Sequence, residues 1–461
     1  MVTAARSRTT RVSSAGGGAI RSYESALKYL GEQTNYELMP RVRYNPAMFS
    51  LERMHRLMKK LGDPQSKVRA VHIAGTKGKG STATMLATML RSCGYKVGLY
   101  TSPHIVDVRE RIQVNGEMIS QAAMTRQIAR LKPIAEKMGD DRPTFFELVT
   151  AMALCHFADS GVDVAVIETG MGGRLDSTNV VNPAVCGFTS ISLDHTHQLG
   201  TSLQEIAAEK AGILKSNTPA VSVAQEPEAR EVLRRAARET NAPLMFTGDD
   251  IEFSYRVESN RQNGCHTRIC LTTPRSRFEH IPVPLMGEHQ AVNCGLALAL
   301  LDQLKGQGLA IDDQRAMSGL AGVYLPGRME IIREDPRVLV DGAHNPASMR
   351  ALMRAIGQHI PYDSMVMVFG CAGDKDADGM IAEIATGADK LIFTPISNNP
   401  RSADPKLLAE IYERRSGRVA QLAASLAEAL QGACNAVSRG DLICVCGSFG
   451  LVGETKQILG N

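Results

Sequence analysis

The sequence predicts an α/β protein with two domains, each built on a parallel sheet that is wrapped by helices. Short apolar runs alternate with helical patterns from residue 68 onward, as in successive βαβ units. The runs at residues 162–168 and 184–194 are almost continuously apolar, which is typical of strands buried on both faces. The alternation resumes after a Pro-Gly break at residues 323–330, which indicates a second, smaller domain behind a hinge.

The elements before the hinge follow from periodicity and from caps. A capping box at Ser202 and Glu205 predicts the start of one helix, which Gly212 should end. Between residues 251 and 286, β-branched and aromatic residues mix with Asn, Gly and Pro, which predicts a small antiparallel insertion. The other expected helices lie at 22–31, 50–61, 81–94, 226–240, 288–304 and 312–321, and the expected strands at 68–74, 96–102, 162–168, 184–194 and 219–224.

After the hinge, apolar runs predict strands at 338–346, 365–371, 390–395 and 442–450, with one helix in each interval. We therefore expect a first domain at 22–325 and a smaller, Rossmann-like domain at 326–461. Active sites of such proteins lie at the carboxyl ends of strands and in the cleft between domains. Residues 1–21, rich in Arg, Ser and Gly, are expected to be a disordered tail, either a frayed terminus or an organelle transit peptide.

Composition narrows the class of protein. The 52 basic and 48 acidic residues give a net charge of +4, and residues 1–23 contribute four arginines and no acid. The remaining chain is balanced, so bulk charge does not indicate a nucleic-acid surface. No apolar run approaches the roughly 18 residues of a membrane helix. The ten cysteines include no C-x-x-C pair and are expected to be reduced thiols. We expect a cytoplasmic monomer that binds neither nucleic acid nor membrane.

The strongest local signal is AGTKGKGST at residues 74–82, between a predicted strand and a predicted helix. Gly75, Gly78 and Gly80 allow backbone N–H groups to surround a polyphosphate, and Lys79 supplies a positive charge. The motif departs from the common phosphate-loop form, because Gly80 separates Lys79 from Ser81. The alternative is an ordinary glycine-rich turn. The strand–loop–helix context favours a nucleotide triphosphate.

Polar side chains at the ends of predicted strands are candidate metal ligands. Ser102, Glu168 and His195 each end or follow such a strand, and Asp194 precedes His195. The carboxyl ends of parallel strands meet at one edge of a sheet, so these residues should lie near the phosphate loop. Mg²⁺ prefers oxygen ligands, so an imidazole ligand would be unusual. Each residue alone also fits a structural role in a turn, at a strand end or in the core.

Seven motifs in order carry a more specific signal: GTKGKGS, LYTSPHIVDVRERIQVNG, ETGMGGRLDSTN, LDHTHQLGTSLQEIAAEKAGIL, GEHQAVNCGLAL, LPGRMEI and DGAHNP. The chain closely resembles the folylpolyglutamate synthase/dihydrofolate synthase family, the folate branch of the Mur ligase superfamily. The resemblance extends from about residue 22 to the C-terminus. It implies a Mur-ligase-like fold, in which a phosphate-loop ATPase domain with a parallel sheet precedes a smaller Rossmann-like domain.

The resemblance implies ATP and Mg²⁺ as cofactors, with two metal ions. The general phosphate-loop rule offers Ser81 as the metal hydroxyl instead of Ser102. Because Gly80 changes that register, Ser102 is ranked first, and Ser81 is kept as a phosphate contact or as a ligand of the second ion. The implied contacts are Gly78, Lys79, Gly80, Ser81 and Arg328 for phosphate, Asn293 for adenine, Asp341 for ribose, and Ser102, Glu168 and His195 for Mg²⁺. Lys79 is an implied catalytic residue, and His344 lies beside Asp341 as a candidate general base.

Lys210 matches the lysine that members of this family carry as a carbamate. A lysine near Mg²⁺ and phosphate can add CO₂, which reverses its charge and creates an oxygen ligand. The alternative is an ordinary surface lysine on the helix that begins after Ser202.

The resemblance also suggests where an acceptor substrate binds. Residues 102–116 occupy the position of the family's folate-binding loop, and Arg109 and Arg111 could pair with substrate carboxylates. Thr144, Phe145 and Phe146 occupy the position of pterin-contacting residues, where an aromatic ring could stack. Core packing of one phenylalanine is an equally good interpretation.

The family joins glutamate to a folate or pteroate carboxylate with ATP, through an acyl phosphate. Two rivals remain. One is a Mur-type ligase for peptidoglycan precursors, although only 78 residues precede Lys79, which leaves little room for a nucleotide-sugar domain. The other is a nucleotide-dependent switch protein without ligase chemistry. The sequence leaves open whether dihydropteroate, tetrahydrofolate or both are accepted.

Overall fold

The computed structural model describes residues 18–39, 48–260, 264–397 and 399–460. These residues form three sheets. The eight-stranded sheet contains β1 (Arg69–Ala74), β2 (Val97–Tyr100), β3 (Ile112–Val114), β4 (Glu117–Met118), β5 (Val164–Glu168), β6 (Pro183–Phe188), β7 (Ala220–Ser222) and β8 (Leu244–Phe246). The three-stranded sheet contains β9 (Glu252–Asn260), β10 (Gly264–Thr272) and β11 (Arg277–Pro282). The six-stranded sheet contains β12 (Glu330–Glu334), β13 (Arg337–Val340), β14 (Met365–Phe369), β15 (Lys390–Phe393), β16 (Gln421–Leu422) and β17 (Leu442–Cys446).

Helices cover the sheets. Those before the hinge are α1 (Tyr23–Gly31), α2 (Leu51–Lys60), α3 (Lys79–Ser92), α4 (Gln121–Glu136), α5 (Phe145–Asp159), α6 (Thr196–Leu199), α7 (Leu203–Ala211), α8 (Pro227–Thr240), α9 (Glu288–Gly306) and α10 (Asp313–Ala321). Those after it are α11 (Pro346–His359), α12 (Ala377–Ile384), α13 (Pro405–Ser416), α14 (Leu426–Ala436) and α15 (Phe449–Leu459). None of the helices in the described ranges is both long enough and apolar enough to cross a membrane.

Strand order brings the loops of the large sheet together. The order is β4-β3-β2-β5-β1-β6-β7-β8, in which β2, β5, β1, β6, β7 and β8 are parallel and β3 and β4 add antiparallel pairs at one edge. The carboxyl end of β1 therefore lies between those of β5 and β6. The predicted α/β class and parallel sheet are confirmed, and so is the antiparallel insertion.

The smaller sheet has the order β12-β13-β17-β14-β15-β16, and only β12 runs antiparallel to its neighbour. Helix α9 connects the layers of the larger domain, because it packs on β6 and β7 and also on β9 and β10. It is buried on nearly every face. This burial fixes Asn293, in the second turn of α9, against Gly78 of the phosphate loop.

Several expectations about strands and helices were wrong. The strands expected at 338–346 and 442–450 end at Val340 and Cys446. The strand predicted at 184–194 ends at Phe188. Beyond it the chain crosses the phosphate loop, because the backbone N–H of Thr76 donates to the carbonyl of Ser190 and the Thr76 hydroxyl donates to that of Ser192. The single helix predicted between 395 and 442 is instead α13, β16 and α14. β16 has two residues, too few for a periodic signal in the sequence.

The prediction of a disordered tail at residues 1–21 is wrong for residues 18–21. Residues 18–21 are attached to the folded body, since the carbonyl of Gly18 accepts from Lys132 Nζ at 2.6 Å and Ile20 packs against the core. The part of the prediction that concerns residues 1–17 lies outside the described residues.

Candidate active site

The phosphate loop is shaped by backbone geometry. β1 ends at Ala74, and α3 begins at Lys79 without a side-chain cap. Gly78 has φ +90°, and a Cβ there would lie 2.0 Å from Asn293 Oδ1. Glycine adopts this left-handed backbone without strain and is therefore favoured at this position. The open N-terminus of α3, with its positive dipole end, is a ready site for phosphate oxygens.

Glu168 faces the first turn of α3 from the end of β5. Its Oε2 accepts from the backbone N–H of Ser102 at 3.1 Å, and its Oε1 lies 3.8 Å from Lys79 Nζ. The side chain is 5% exposed, and burial raises the pKa of this carboxyl while Lys79 lowers it. A Cβ at Gly80 would come within 3.2 Å of Glu168. The three predicted residues Lys79, Ser102 and Glu168 are thus brought together.

His195 lies in the loop after β6 and caps α6 with a left-handed φ of +50°. Desolvation, followed by the nearby lysines Lys375, Lys77 and Lys210, lowers the pKa of its imidazole to about 3. The ring is therefore neutral at physiological pH, and it makes no hydrogen bond to any described residue. A neutral imidazole with a free lone pair can serve as a metal ligand.

These side chains fit a Mg²⁺ ion. Glu168 supplies a buried carboxylate that faces Lys79 Nζ at 3.8 Å, Ser102 supplies a hydroxyl and His195 a neutral nitrogen. The described residues contain no cluster of three or more His, Cys, Asp or Glu that could hold a metal. Mg²⁺ keeps several waters and takes phosphate oxygens as ligands, so it needs few protein ligands.

Lys210 points towards the phosphate loop. It lies in the last turn of α7, is buried, and donates from Nζ to the carbonyl of Gly75 at 2.8 Å. Burial, followed by Lys79, lowers the pKa of this amine to about 7. The alternative of a surface lysine is wrong, because Lys210 belongs to the same cluster as Lys79 and His195.

The second domain contributes Arg328, Asp341 and His344 to the opposite side of the cleft. The guanidinium of Arg328 lies 4.3 Å from the ring centroid of Phe449, a cation–π contact. Asp341 accepts from the backbone N–H of Met329 at 2.9 Å and of Ala343 at 2.8 Å. Burial raises the pKa of the Asp341 carboxyl, and the positive charge of Arg328 opposes this shift. These contacts fix the carboxylate at the start of the DGAHNP turn.

A buried ionic network that the sequence analysis missed crosses the cleft. Asp194 Oδ2 accepts from Lys77 Nζ at 2.9 Å and from Asn345 Nδ2 at 3.1 Å. Asp194 Oδ1 accepts from Lys375 Nζ at 2.8 Å. Lys77 Nζ also lies 2.8 Å from His344 Nε2. The phosphate loop is thereby connected directly to the DGAHNP turn.

Weak sequence signals did mark these residues. Lys77 lies inside the predicted phosphate loop, and Asp194 precedes a predicted metal ligand. Lys375 follows the predicted strand at 365–371, in a Gly-Asp-Lys turn where a cation near a strand end is a binding candidate. No local pattern shows that the three side chains meet.

The two arginines expected to bind substrate carboxylates already have protein partners. Arg109 donates to Asp107 from Nε at 2.9 Å and from the terminal nitrogen at 2.6 Å. Arg111, 1% exposed, donates to both oxygens of Glu37 and, through Nε, to His104. A substrate carboxylate would have to displace these partners, so the structure gives Arg111 a packing role.

The aromatic pair at the start of α5 is divided between two environments. Phe145 is buried, and the guanidinium of Arg111 lies 5.5 Å from its ring centroid. Phe146 is half-buried, and its ring centroid lies 6.2 Å from that of Tyr100. Its ring packs against Gly170 so closely that a Cβ there would collide with it. Phe145 is therefore a core residue, and Phe146 borders the glycine-rich loop after β5.

A cavity of about 510 Å³ opens beside the phosphate loop. Ser81, Ser102, Glu168 and Arg328 lie at its inner end. Its walls come from α3, the hinge and the loop at 102–116, and they include Thr84, Thr88, Pro103, Ile105, Val106, Met118, Tyr324 and Leu325. The polar inner end and the mixed apolar walls suit a flat, partly apolar molecule that ends in an anion.

A phosphate loop and a buried carboxylate that face a second α/β domain across a hinged cleft define the Mur ligase class. Residues 73–301 match the family described as Mur ligase middle domain, and residues 327–449 match the one described as Mur ligase, glutamate ligase domain.

Within that class the chain belongs to the folylpolyglutamate synthase/dihydrofolate synthase family. It is 36% identical to the Bacillus subtilis dihydrofolate synthase/folylpolyglutamate synthase, over 80% of this chain and 90% of that protein. It superimposes with TM-score 0.86 and 32% identity on Mycobacterium tuberculosis folylpolyglutamate synthase complexed with ADP, covering 95% of this chain and 98% of that one. The Escherichia coli FolC structure in complex with DHPP and ADP gives TM-score 0.81 and 30% identity, over 96% and 99% of the two chains.

Longer relatives also match. The chain is 35% identical over 94% of its length to a Haloferax volcanii protein named probable bifunctional folylpolyglutamate synthase/dihydropteroate synthase. It spans about half of that relative, 50% of its length.

Proposed function

We propose that the chain is an ATP-dependent ligase that joins L-glutamate to the carboxylate of a folate or a dihydropteroate through an acyl phosphate. The observation that carries the proposal is the uncapped N-terminus of α3, with Lys79 facing the buried Glu168 at the inner end of the cleft. Phosphoryl transfer needs charge neutralisation more than covalent catalysis, and this site supplies it. The ADP-complexed relatives support the nucleotide, and the relative complexed with DHPP supports a pterin-bearing acceptor.

In the first step the acceptor carboxylate attacks the γ-phosphorus of ATP, and ADP leaves. Backbone N–H groups at Gly78, Gly80 and Ser81 and the ammonium of Lys79 hold the transferring phosphoryl group. We assign Asn293, whose side chain abuts Gly78, as the contact of adenine. From the second domain, Arg328 contacts phosphate and Asp341 contacts ribose.

We assign Ser102, Glu168 and His195 as the protein ligands of a Mg²⁺ ion, and Ser81 as a phosphate contact or the ligand of a second ion. The bound ion would neutralise charge on phosphate oxygens. Lys79 and the α3 amides supply the remaining positive potential, so removing either part should slow the phosphoryl step.

We propose further that Lys210 is carbamylated. Its neutral amine adds to the carbon of CO₂ and loses a proton, which converts a cation into an anion. The lowered pKa, about 7, makes the neutral amine available near physiological pH. Burial beside Lys79 supports the modification, because an ammonium there adds repulsion to a cluster that already contains a cation.

The cavity beside the phosphate loop supports the acceptor assignment. Its inner end holds Ser81, Ser102 and Arg328, so a carboxylate bound there would lie next to the phosphoryl group. Residues 102–116 form part of its wall, in agreement with their proposed role as a folate-binding loop. Phe146 remains a candidate contact of the pterin ring, whereas Arg109, Arg111 and Phe145 are engaged elsewhere.

In the second step the amine of glutamate attacks the acyl carbon, and phosphate leaves. Closing the hinge excludes water, which would otherwise hydrolyse the intermediate. The match to the Mur ligase middle domain ends at residue 301, and the match to the glutamate ligase domain begins at residue 327. Both limits support the proposed division of the domains between residues 325 and 326. His344 was a candidate base, but in this structure its Nε2 accepts from Lys77, so the lone pair that a base needs is engaged.

The test is product analysis with the full chain. ATP and L-glutamate are offered with dihydropteroate or tetrahydrofolate in separate reactions, and ADP, phosphate and the mass of the pterin product are measured. We expect glutamate-dependent ADP release in step with a product heavier by one glutamyl residue. Slow ATP hydrolysis that ignores glutamate would indicate a switch protein instead. Ligation with a peptidoglycan precursor but neither pterin would favour the other Mur-type rival.

A further inference from the structure

Asp194 joins three segments of the chain at the cleft. Its side chain is 6% exposed, and each of its oxygens accepts two hydrogen bonds. Oδ1 accepts from the backbone N–H of His195 and from Lys375 Nζ. Oδ2 accepts from Lys77 Nζ and from Asn345 Nδ2. Two of these four donors belong to the second domain. The carboxylate therefore ties that domain to the larger one through charge-assisted hydrogen bonds.

Lys77 extends this connection to His344. His344 Nδ1 lies 2.7 Å from the carbonyl oxygen of Gly342, which can only accept, so Nδ1 carries the proton. Nε2 is then an acceptor, and the ammonium of Lys77 donates to it at 2.8 Å. The Gly342 carbonyl thus sets the tautomer of His344, and Lys77 of the phosphate loop donates to the ring nitrogen that this tautomer leaves as an acceptor.

The position of Lys77 is itself set by the phosphate loop. Its backbone N–H and that of Thr76 donate to the carbonyl of Ser190, at 3.3 and 2.8 Å. Lys79, which faces Glu168, is two residues away. The group that holds His344 is therefore built on the same rigid turn that would hold the γ-phosphate.

We propose that Lys77 is a positioning residue: through His344 and Asp194 it aligns the second domain over the phosphate loop so that an amine can attack the acyl phosphate. The inference rests on the ligase reaction proposed above. Lys77 acts through its two partners and not on the reacting atoms. Attack requires a near-attack geometry between groups held on separate domains, and a misplacement of 1 Å can cost on the order of 10²-fold in rate.

The first experiment needs no substrate. The full chain is labelled with ¹⁵N-histidine, and His344→Gln assigns the His344 resonances. We expect a neutral ring protonated at Nδ1, whose Nε2 shift reports a hydrogen bond that Lys77→Met removes. An Nε2-protonated ring, or a shift that Lys77→Met leaves unchanged, would overturn the geometry.

The second experiment is a double-mutant cycle on turnover with Lys77→Met and His344→Gln. Each single variant should lower kcat on the order of 10²-fold and change the KM for ATP by less than about threefold, because the nucleotide still has Lys79 and the α3 amides. Since His344→Gln removes a contact that Lys77→Met also removes, the double variant should be no slower than the slower single one. Losses that multiply, or full kcat in Lys77→Met, would overturn the proposal.

Two further variants keep the test decisive. Lys77→Arg retains charge and donors, and it should recover part of the kcat that Lys77→Met loses. Lys59→Met removes an exposed lysine on α2 and should behave like the wild type. If the wild type forms no pterin product at all, the proposed function fails, while the histidine spectrum still decides whether Lys77 holds His344.

Discussion

The two sides of the cleft are built in different ways. On the side of β1 and α3, the phosphate loop turns within residues 74–82, where Gly75 and Gly78 have positive φ, and it is also held by the carbonyls of Ser190 and Ser192. On the other side, His344 and Lys375 are held by residues that lie 267 and 181 positions away in the chain. The phosphate loop and the first turn of α3, here called the cradle, therefore face a second domain whose position depends on contacts between residues far apart in the chain. We expect changes in the cradle to affect phosphate binding and chemistry, and changes across the cleft to affect alignment.

Lys79→Ala removes a charge from the cradle, and among these predictions we expect it to have the largest effect on turnover. Removing one preorganised charge donor should lower kcat by on the order of 10²-fold or more. The fold should persist, because Lys79 approaches Glu168 only to 3.8 Å and makes no tight ion pair. Steady-state turnover and a thermal melt measure the two effects, with Lys59→Ala as the control. Turnover near that of the wild type would remove this loop from the active site.

Lys210→Ala should be nearly inactive, and short carboxylic acids should partly restore turnover by occupying the vacated site. Carbamate formation needs the neutral amine, and burial lowers the pKa of Lys210 to about 7. Wild-type activity should therefore fall as the pH drops below 7 in CO₂-depleted buffer, and bicarbonate should restore it.

The control for that experiment is Lys215→Ala, which removes a lysine just beyond α7 that donates to Asn179 instead. It should show neither rescue by acids nor dependence on bicarbonate. Full activity of Lys210→Ala would exclude the carbamate.

Gly78→Ala separates the cradle's shape from its charge. Its new Cβ would lie 2.0 Å from Asn293 Oδ1, so the loop must move and the KM for ATP should rise about tenfold, as for one lost favourable contact. Gly94→Ala is the matched control, since its φ of +95° is close to the +90° of Gly78 and no atom lies within 4 Å. Both variants should lose about 1 kcal/mol of stability to the left-handed backbone. Equal KM values for the two would show that Asn293 yields freely.

Deleting residues 1–17 should have the smallest effect. These residues contain three of the four arginines in the N-terminal segment and no core pattern. We expect turnover, KM for ATP and thermal midpoint to stay those of the full chain. A deletion to residue 21 should lower the midpoint, because it removes Ile20 from the core and the Gly18 contact with Lys132. A severalfold rise in KM for the shorter deletion would give the tail a role at the site.

Prediction from the sequence succeeded where one segment contains the whole signal. The strand, glycine turn and helix around Lys79 are encoded in consecutive residues, and Glu168 ends an apolar run as expected. It failed where pairing ends a strand, as at Phe188, beyond which the chain contacts Thr76 instead of a neighbouring strand. Past that point Ile191 and Leu193 alternate with polar residues, a pattern that is also typical of a strand, so periodicity alone could not detect the end.

The sequence by itself determined the α/β class, the phosphate loop and the strand ends that carry Ser102 and Glu168, because periodicity, glycine turns and caps act over a few residues. Only the tertiary structure decided which side chains are free to act. It placed Glu37 on Arg111, buried Lys210 against Gly75, and brought Lys77 to His344. The partners in these contacts come from segments far apart in the chain. Their meeting depends on how helices and sheets pack, which no spacing of residues encodes.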